Sequence, residues 1–393
     1  AKELNKAGPM TTAARPAWQV SRSDWDAMTA LRGLAAFYVM ISHIWFQVWP
    51  AVAPPLGYGI TPSGIWLQAT AWLYYGHYAV VFFIVLSGFS LAASCRMNLP
   101  RYKVRSFYWR RFMRIAPPYY VALLVSGLVI WLTGGEHTGS QWDISVPVTT
   151  SGVVSHLLML QDFVDSTQIN YAMWSVAAEF PLYLCFPLMV RFAERMPWWS
   201  ILVVYGAVYG LIAGLTQLAI PDFPLPYLGL IAHFYAGIWA CRQRQWLHVM
   251  LWRLTPVAGL LALAALMALS LALGFARSEQ YLAYLDVLCT AAAVFMLWAL
   301  TGGSAISLRL GRSWWRGVGD YAYSLYLTHA PLIFATWLIA RIWLNEPHMQ
   351  WLALCLLCPP VCMTFAKWFH HRFERPFVAH LDVPPAVHMP LRS

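Results

Sequence analysis

The sequence predicts an all-α integral membrane protein: a bundle of about ten transmembrane helices, both termini cytoplasmic, with no appended soluble domain. Three observations carry this. Of 393 residues, 60% are hydrophobic and only 11% charged, where a soluble protein carries about a quarter charged. A helix across a ~30 Å hydrocarbon core needs about 20 apolar residues, and segments near 28–49, 70–94, 115–133, 171–190, 198–219, 225–241, 256–275, 281–302, 318–340 and 349–369 have about that length. The basic residues between them fall on alternate connections. A formal charge of +10 suits a nucleic-acid partner only when it is gathered on one water-facing domain. Here it is dispersed in short runs between apolar stretches, which excludes nucleic acid.

With the N-terminus in the cytoplasm, 23 Lys and Arg lie inside, and only Arg277 and Arg341 outside. That asymmetry sets the orientation and supports an even number of spans. Residues 1–25 form a cytoplasmic arm, of which 1–9 resemble an added segment before a natural start at Met10. The first apolar run is too long for a cleavable signal peptide and has no small-residue cleavage site after it. The first span contains Arg32 and His43. Ionisable groups in hydrocarbon are costly and mark function by default. Eleven residues apart, the two share a helix face about 16 Å apart along the axis. They therefore favour a polar channel from the cytoplasm to mid-membrane. The bland alternatives are a snorkelling Arg32 and a buried His43 bonded to a neighbouring helix.

The second span carries Trp66, Trp72, Tyr74, Tyr75, His77 and Tyr78 near its outer end, either a platform for sugar rings or an interfacial aromatic belt. The connection that follows holds Arg110, Arg111 and Arg114. Arg111 and Arg114 share a helix face, suited either to phosphates or to anionic lipid head groups. The only sizeable outer loop is 134–170, in which Val153–Phe163 is expected to form a short helix on the outer surface.

Glu179, about 12 Å below the start of the fourth span, is expected at the depth of His43, where a carboxylate could orient the imidazole. It could equally be a structural acid bonded to Trp or Ser. Trp174 and Ser175 precede it, and Ser324, Tyr326 and His329 stand in the ninth span as substrate-binding or structural polar groups. His77, His233 and Asp286 read as structural. Cys355, Cys358 and Cys362 share one side of the last span, but the apolar surroundings make them packing residues rather than metal ligands, so no metal is expected. The tail, 378–393, returns to the cytoplasm.

Five segments in order, together with the ten spans, resemble the membrane-bound acyltransferase-3 family, bacterial inner-membrane proteins that O-acylate mainly cell-surface carbohydrates. They are Leu31-Arg32-Gly33 through Ser42-His43, Phe82-Phe83-Ile84-Val85-Leu86-Ser87-Gly88-Phe89, Arg111-x-x-Arg114-Ile115-x-Pro117, Trp174-Ser175-x3-Glu179, and Ser324-Leu325-Tyr326-Leu327-x-His329. The closing His371-Arg372-Phe373-Glu374-Arg375-Pro376-Phe377 is also similar. Val176-Ala177-Ala178 and Pro181 depart from the usual pattern.

The resemblance covers residues 26–377 as one transmembrane acyltransferase domain. It implies acyl-CoA, usually acetyl-CoA, as donor co-substrate. It also implies Arg32 and His43 as an essential pair, with Arg111 and Arg114 on the cytoplasmic side. The implied acceptor is a glycan or lipid-linked glycan (exopolysaccharide, lipopolysaccharide O-antigen or a precursor). Membrane lipids and polysaccharide assembly machinery are the further partners.

In the expected scheme the nucleotide phosphates lie on Arg111 and Arg114, and Arg32 lies on a phosphate or the thioester oxygen. His43 then acts as general base oriented by Glu179, or forms an acyl-His intermediate. The competing functions are a proton-coupled transporter or flippase, against which the absence of an inverted repeat speaks, and an acyl relay to a partner transferase.

Overall fold

Ser21 opens the first helix with a reciprocal cap. Its hydroxyl accepts from the Asp24 N–H at 3.2 Å, and the Asp24 carboxylate accepts from the Ser21 N–H at 3.2 Å. The helix that follows, α1 (Arg22–Val48), is the axis of the bundle. The computed structural model describes residues 20–50, 61–97, 99–100, 103–162, 168–218, 225–251, 255–300 and 305–379. Most of the N-terminal arm with Met10, most of the tail, Phe163, and two of the basic residues counted on the inside, Arg101 and Arg253, lie outside the described residues.

Along the chain come α2 (Gly64–Thr70), a 3-10 turn (Ala71–Tyr75), α3 (His77–Ser94) and α4 (Val104–Leu132). A second 3-10 turn (Gln141–Ser145), α5 (Thr150–Leu157) and a third turn (Tyr171–Met173) lead into α6 (Trp174–Arg195). Then follow α7 (Ser200–Gln217), α8 (Leu225–Leu251), α9 (Thr255–Leu273), α10 (Phe275–Gln280) and α11 (Leu282–Leu300). Two short helices, α12 (Ala305–Gly311) and α13 (Trp314–Asp320), precede α14 (Ala322–Trp343) and α15 (Pro347–Phe369). A π turn (His370–Glu374) and α16 (Arg375–Ala379) close the described chain.

Each of the ten expected segments is helical, and eight described helices are long and apolar enough to cross a membrane. α8 and α9 occupy the other two segments; the apolar stretch Val257–Leu273 of α9 is shorter than those eight. α6 continues unbroken through Pro181. Large apolar side chains face outward all around the bundle, including Leu124, Leu188, Leu202, Ile342 and Leu356. In water such a surface would be an aggregation site; against lipid it is the expected exterior.

α1 packs on α3 and on α12, α13, α14 and α15, and α3 lies against α8. The closest crossings are made by glycines. A Cβ on Gly319 would lie 1.8 Å from the Thr29 carbonyl oxygen, and one on Gly33 2.4 Å from that of Trp315, so α1 and α13 touch backbone to backbone. Gly237 and Gly88 do the same for α8 and α3, at 2.0 Å and 2.1 Å from the Val85 and Phe234 oxygens. Since Gly33 adjoins Arg32, the first crossing also sets where that guanidinium enters the core. Gly319→Ala is expected to destabilise the protein by about 1–3 kcal/mol, read as a lower melting temperature in detergent. An unchanged melting curve would contradict this packing.

The outer segment 134–170 does not lie wholly on the surface: some of its described residues are drawn into the bundle. Asn170 is fully buried and donates to Ser126 Oγ (2.9 Å) and to the Leu327 carbonyl (3.2 Å), deep within α4 and α14. Trp142 stacks on Phe334, with ring centroids 5.1 Å apart. The chain therefore folds back into the bundle before α6 starts. The expected surface helix is the shorter α5, whose Val154, Leu157 and Leu158 are exposed.

His156 on α5 is fully buried, with Nδ1 donating to the Gly152 carbonyl at 2.7 Å. Burial pushes its pKa below the usual value of 6.5. The unfolded chain therefore binds more protons as pH falls, and the stability that neutral His156 contributes is full above about pH 6.5 and is lost below it. Melting curves between pH 7.5 and 5 should fall more steeply for wild type than for His156→Gln; parallel curves would contradict this.

Candidate active site

A cavity of about 410 Å³ is bounded by α1, α3, α4, α6, α13 and α14. Its polar walls include Arg32, Arg111, Arg114, Glu179, Ser175 and Tyr326. Arg32 donates to Ser90 Oγ at 2.8 Å, so it is held inside the bundle rather than turned outward to snorkel. Arg111 and Arg114 belong to the first turns of α4, which begins eleven residues before the apolar span expected at 115–133. The same face that carries them continues into the core, and both reach the cavity. Arg111 Nε is buried with no partner. An unpaired buried donor is costly, and here it lies on a wall shared with two other guanidiniums.

The expected pairing of Glu179 with His43 is corrected. Ser87 Oγ donates to Glu179 Oε1 at 2.8 Å and the Tyr183 hydroxyl donates to the same oxygen. Ser87 lies one turn from Ser90, the partner of Arg32, so Glu179 sits near the Arg32 end of the cavity. The cause is the buried end of that loop. Because the chain is already inside the bundle at Asn170, Tyr171 stands at the level of His43, with ring centroids 5.2 Å apart. Eight further residues carry Glu179 about 12 Å below it.

The partner of His43 is His329. His43 Nδ1 and His329 Nε2 are 2.6 Å apart and the rings stack, with centroids 4.9 Å apart and planes at 17°. Hydrogen bonding assigns the tautomers. The Leu325 carbonyl, 3.0 Å from His329 Nδ1, can only accept, so His329 carries its proton on Nδ1. His329 Nε2 is then the acceptor, and His43 must donate from Nδ1. The lone pair of His43 is thereby placed on Nε2, on the side away from its partner.

Tyr326 connects this pair to the cavity. Its hydroxyl accepts from Ser175 Oγ at 2.7 Å, and its ring lies 5.8 Å from that of His329. Trp174 is outside the cavity and stacks on His77, centroids 6.0 Å apart with planes at 10°. Ser324 donates to Glu374 at 2.6 Å, and Glu374 also accepts from His370 at 2.9 Å.

Several of these groups gave no separate sequence signal. Ser87, Ser90 and Tyr183 are unremarkable residues until the fold sets them against Arg32 and Glu179. Glu374 stood inside the C-terminal motif without a role. Near His43, the Tyr171 hydroxyl, Trp142 Nε1 and both polar atoms of Gln47 are buried without partners.

The outer aromatic residues are mostly committed to packing. Tyr75 and Tyr78 are buried and stacked, and both hydrogen-bond to Ser270; Tyr74 stacks on Phe275. A sugar platform built on Tyr75 and Tyr78 is therefore ruled out. The three groups read as structural do meet: His77 Nε2 lies 3.1 Å from both Asp286 oxygens, and His233 bonds Thr290 at 2.8 Å beside them. Cys358 and Cys362 are buried in the apolar core, and no group of described side chains could hold a metal ion.

Fold and site together define a multi-pass membrane protein with an arginine-walled internal cavity, one of whose walls, Tyr326, lies against a histidine pair. The chain belongs to the acyltransferase-3 family, whose model, described as an acyltransferase domain, matches residues 25–367. Acyltransferase MdmB of Streptomyces mycarofaciens is 35% identical over 144 residues, 34% of this chain and 34% of that protein. Nodulation protein 10 of Rhizobium leguminosarum bv. viciae is 26% identical over 212 residues, 51% of this chain and 54% of that protein. The chain thus spans about a third to a half of the length of these curated relatives. No solved structure matches it.

Proposed function

We propose that the protein transfers an acyl group, acetyl foremost, from cytoplasmic acyl-CoA to a hydroxyl of a surface or exported glycan, or of its lipid-linked precursor. In this scheme it sits in the bacterial inner membrane with both termini cytoplasmic, so that the arginine end of the cavity faces the donor. The observation that carries the proposal is one cavity lined by Arg111, Arg114, Arg32, Ser175 and Tyr326, with Tyr326 in turn against His329 of the His329–His43 pair.

CoA brings several phosphate charges and a long flexible arm ending in a thioester. Guanidiniums bind phosphate bidentately and keep their charge when buried. Glu179, on the same cavity wall, offsets part of the positive charge there. The phosphopantetheine arm, on the order of 20 Å long, suits the ~16 Å rise over eleven helical residues from Arg32 to His43.

At the far end, His43 Nε2 takes the proton of the acceptor hydroxyl as its oxygen attacks the thioester carbonyl. The C–S bond breaks, and the departing CoA sulfur receives the proton back from the imidazolium. His329 accepts from His43 Nδ1 throughout, so it holds the ring in the tautomer that leaves Nε2 basic. Glu179, twelve or so ångströms toward the arginines, serves as a counter-charge on the donor path and takes no part in proton transfer at His43.

The test is release of free CoA thiol by purified protein given acetyl-CoA with and without a glycan acceptor. Acceptor-dependent thiol release is expected. Acceptor-dependent acylation from a different donor, with acetyl-CoA inert, would overturn the donor assignment.

A further inference from the structure

A second cleft, of about 720 Å³, opens beside the first, and the two share Arg114, Asp320 and Glu374 as lining residues. Its own walls add Lys367, His371, Arg375 and Trp314, drawn from the end of α15, the π turn, α16 and the start of α13. These elements meet here because the chain leaves α15 through the π turn and folds α16 back against α4. Its volume falls within the range of small-molecule sites.

The acids of this cleft are already committed. Glu374 accepts from Ser324 and His370, and Asp320 pairs with Arg316. Lys367 and Arg375 carry no ion pair among the described residues and are both exposed. Trp314 is 60% exposed at the rim, a flat apolar face in a basic setting. Two cations with no acid partner, an arginine shared with the reaction cavity and an exposed indole together match one ligand chemistry: a phosphorylated nucleoside whose tail enters the first cavity.

We infer that this cleft holds the adenosine 3′,5′-bisphosphate end of the CoA donor, with Lys367 and Arg375 on the phosphates and the adenine on Trp314. This rests on the donor proposed above. It moves the 3′-phosphate away from Arg111 and leaves Arg111 and Arg32 to the diphosphate and the arm. A phosphomonoester carries close to two negative charges at neutral pH, so the 3′-phosphate is the group this cleft distinguishes.

The experiment measures equilibrium binding of adenosine 3′,5′-bisphosphate and of 5′-AMP to the full chain in zwitterionic nanodiscs. Wild type is expected to prefer the bisphosphate at least tenfold. The Lys367→Ala/Arg375→Ala variant is expected to lose that preference, and Lys367→Arg/Arg375→Lys to recover it. Melting curves of each variant show that it is folded. Equal binding of the two nucleotides by wild type, or a preference retained by the alanine variant, would overturn the assignment. So would displacement of the bisphosphate by phosphatidylglycerol in the discs, which would give the cleft to a lipid head group. Acetyl transfer in wild type without the preference would remove this cleft and leave the proposed reaction standing. The preference without acetyl transfer would do the reverse.

Discussion

His43→Ala is expected to lower kcat by about 10²–10⁴-fold, the usual contribution of a positioned general base, with acyl-CoA binding retained. The imidazole is not among the groups lining the arginine-walled cavity, so removing it leaves Arg32, Arg111 and Arg114 in place to hold the donor. KM for acyl-CoA should change little, because an interaction made only in the transition state lowers kcat and kcat/KM together. The measurement is steady-state thiol release at saturating donor, paired with equilibrium binding of CoA. Loss of binding with kcat unaltered would place His43 on the donor path instead.

Replacing His329 should give the second-largest loss. His329→Phe removes the acceptor of the His43 Nδ1 proton and lets the ring turn or adopt the other tautomer. A drop in kcat of about 10–100-fold corresponds to about 1.4–2.7 kcal/mol. That is less than for a carboxylate partner, because a neutral imidazole gives no full charge to stabilise the imidazolium. His329→Gln, which can offer an amide oxygen to the same proton, is expected to recover part of the loss. A merely structural His329 would instead show equal defects in both variants, tracking their melting temperatures.

The helical segments and the arginine wall were legible in the sequence for physical reasons. Apolar length reports a span directly, Arg32 is conspicuous because hydrocarbon tolerates few charges, and Arg111 and Arg114 stand out as a pair on one helix face in a basic connection. The family pattern supplied the same residues by a second route. What could not be read was depth. Placing Glu179 opposite His43 assumed that the fourth span starts at the surface, and nothing in residues 134–170 announces that Asn170 and Tyr171 are drawn inside.

Partnerships across long separations were hidden for the same reason. His43 and His329 lie 286 residues apart, and His77 and Asp286 lie 209 apart. A single sequence names such residues as anomalies without saying which anomaly faces which. The Ser87-Gly88 pair shows how much two small residues can carry: the glycine admits α8 against α3, and the serine beside it reaches Glu179.

The central claim is that donor arginines and a histidine base act on one path from acyl-CoA to glycan. It is tested most directly by transfer of isotope-labelled acetyl from acetyl-CoA into membrane glycan, comparing wild type, His43→Ala and Arg111→Ala/Arg114→Ala. Label should enter glycan with wild type and fall to near background with both variants, CoA binding surviving only in His43→Ala. Equal labelling in all three would contradict the account.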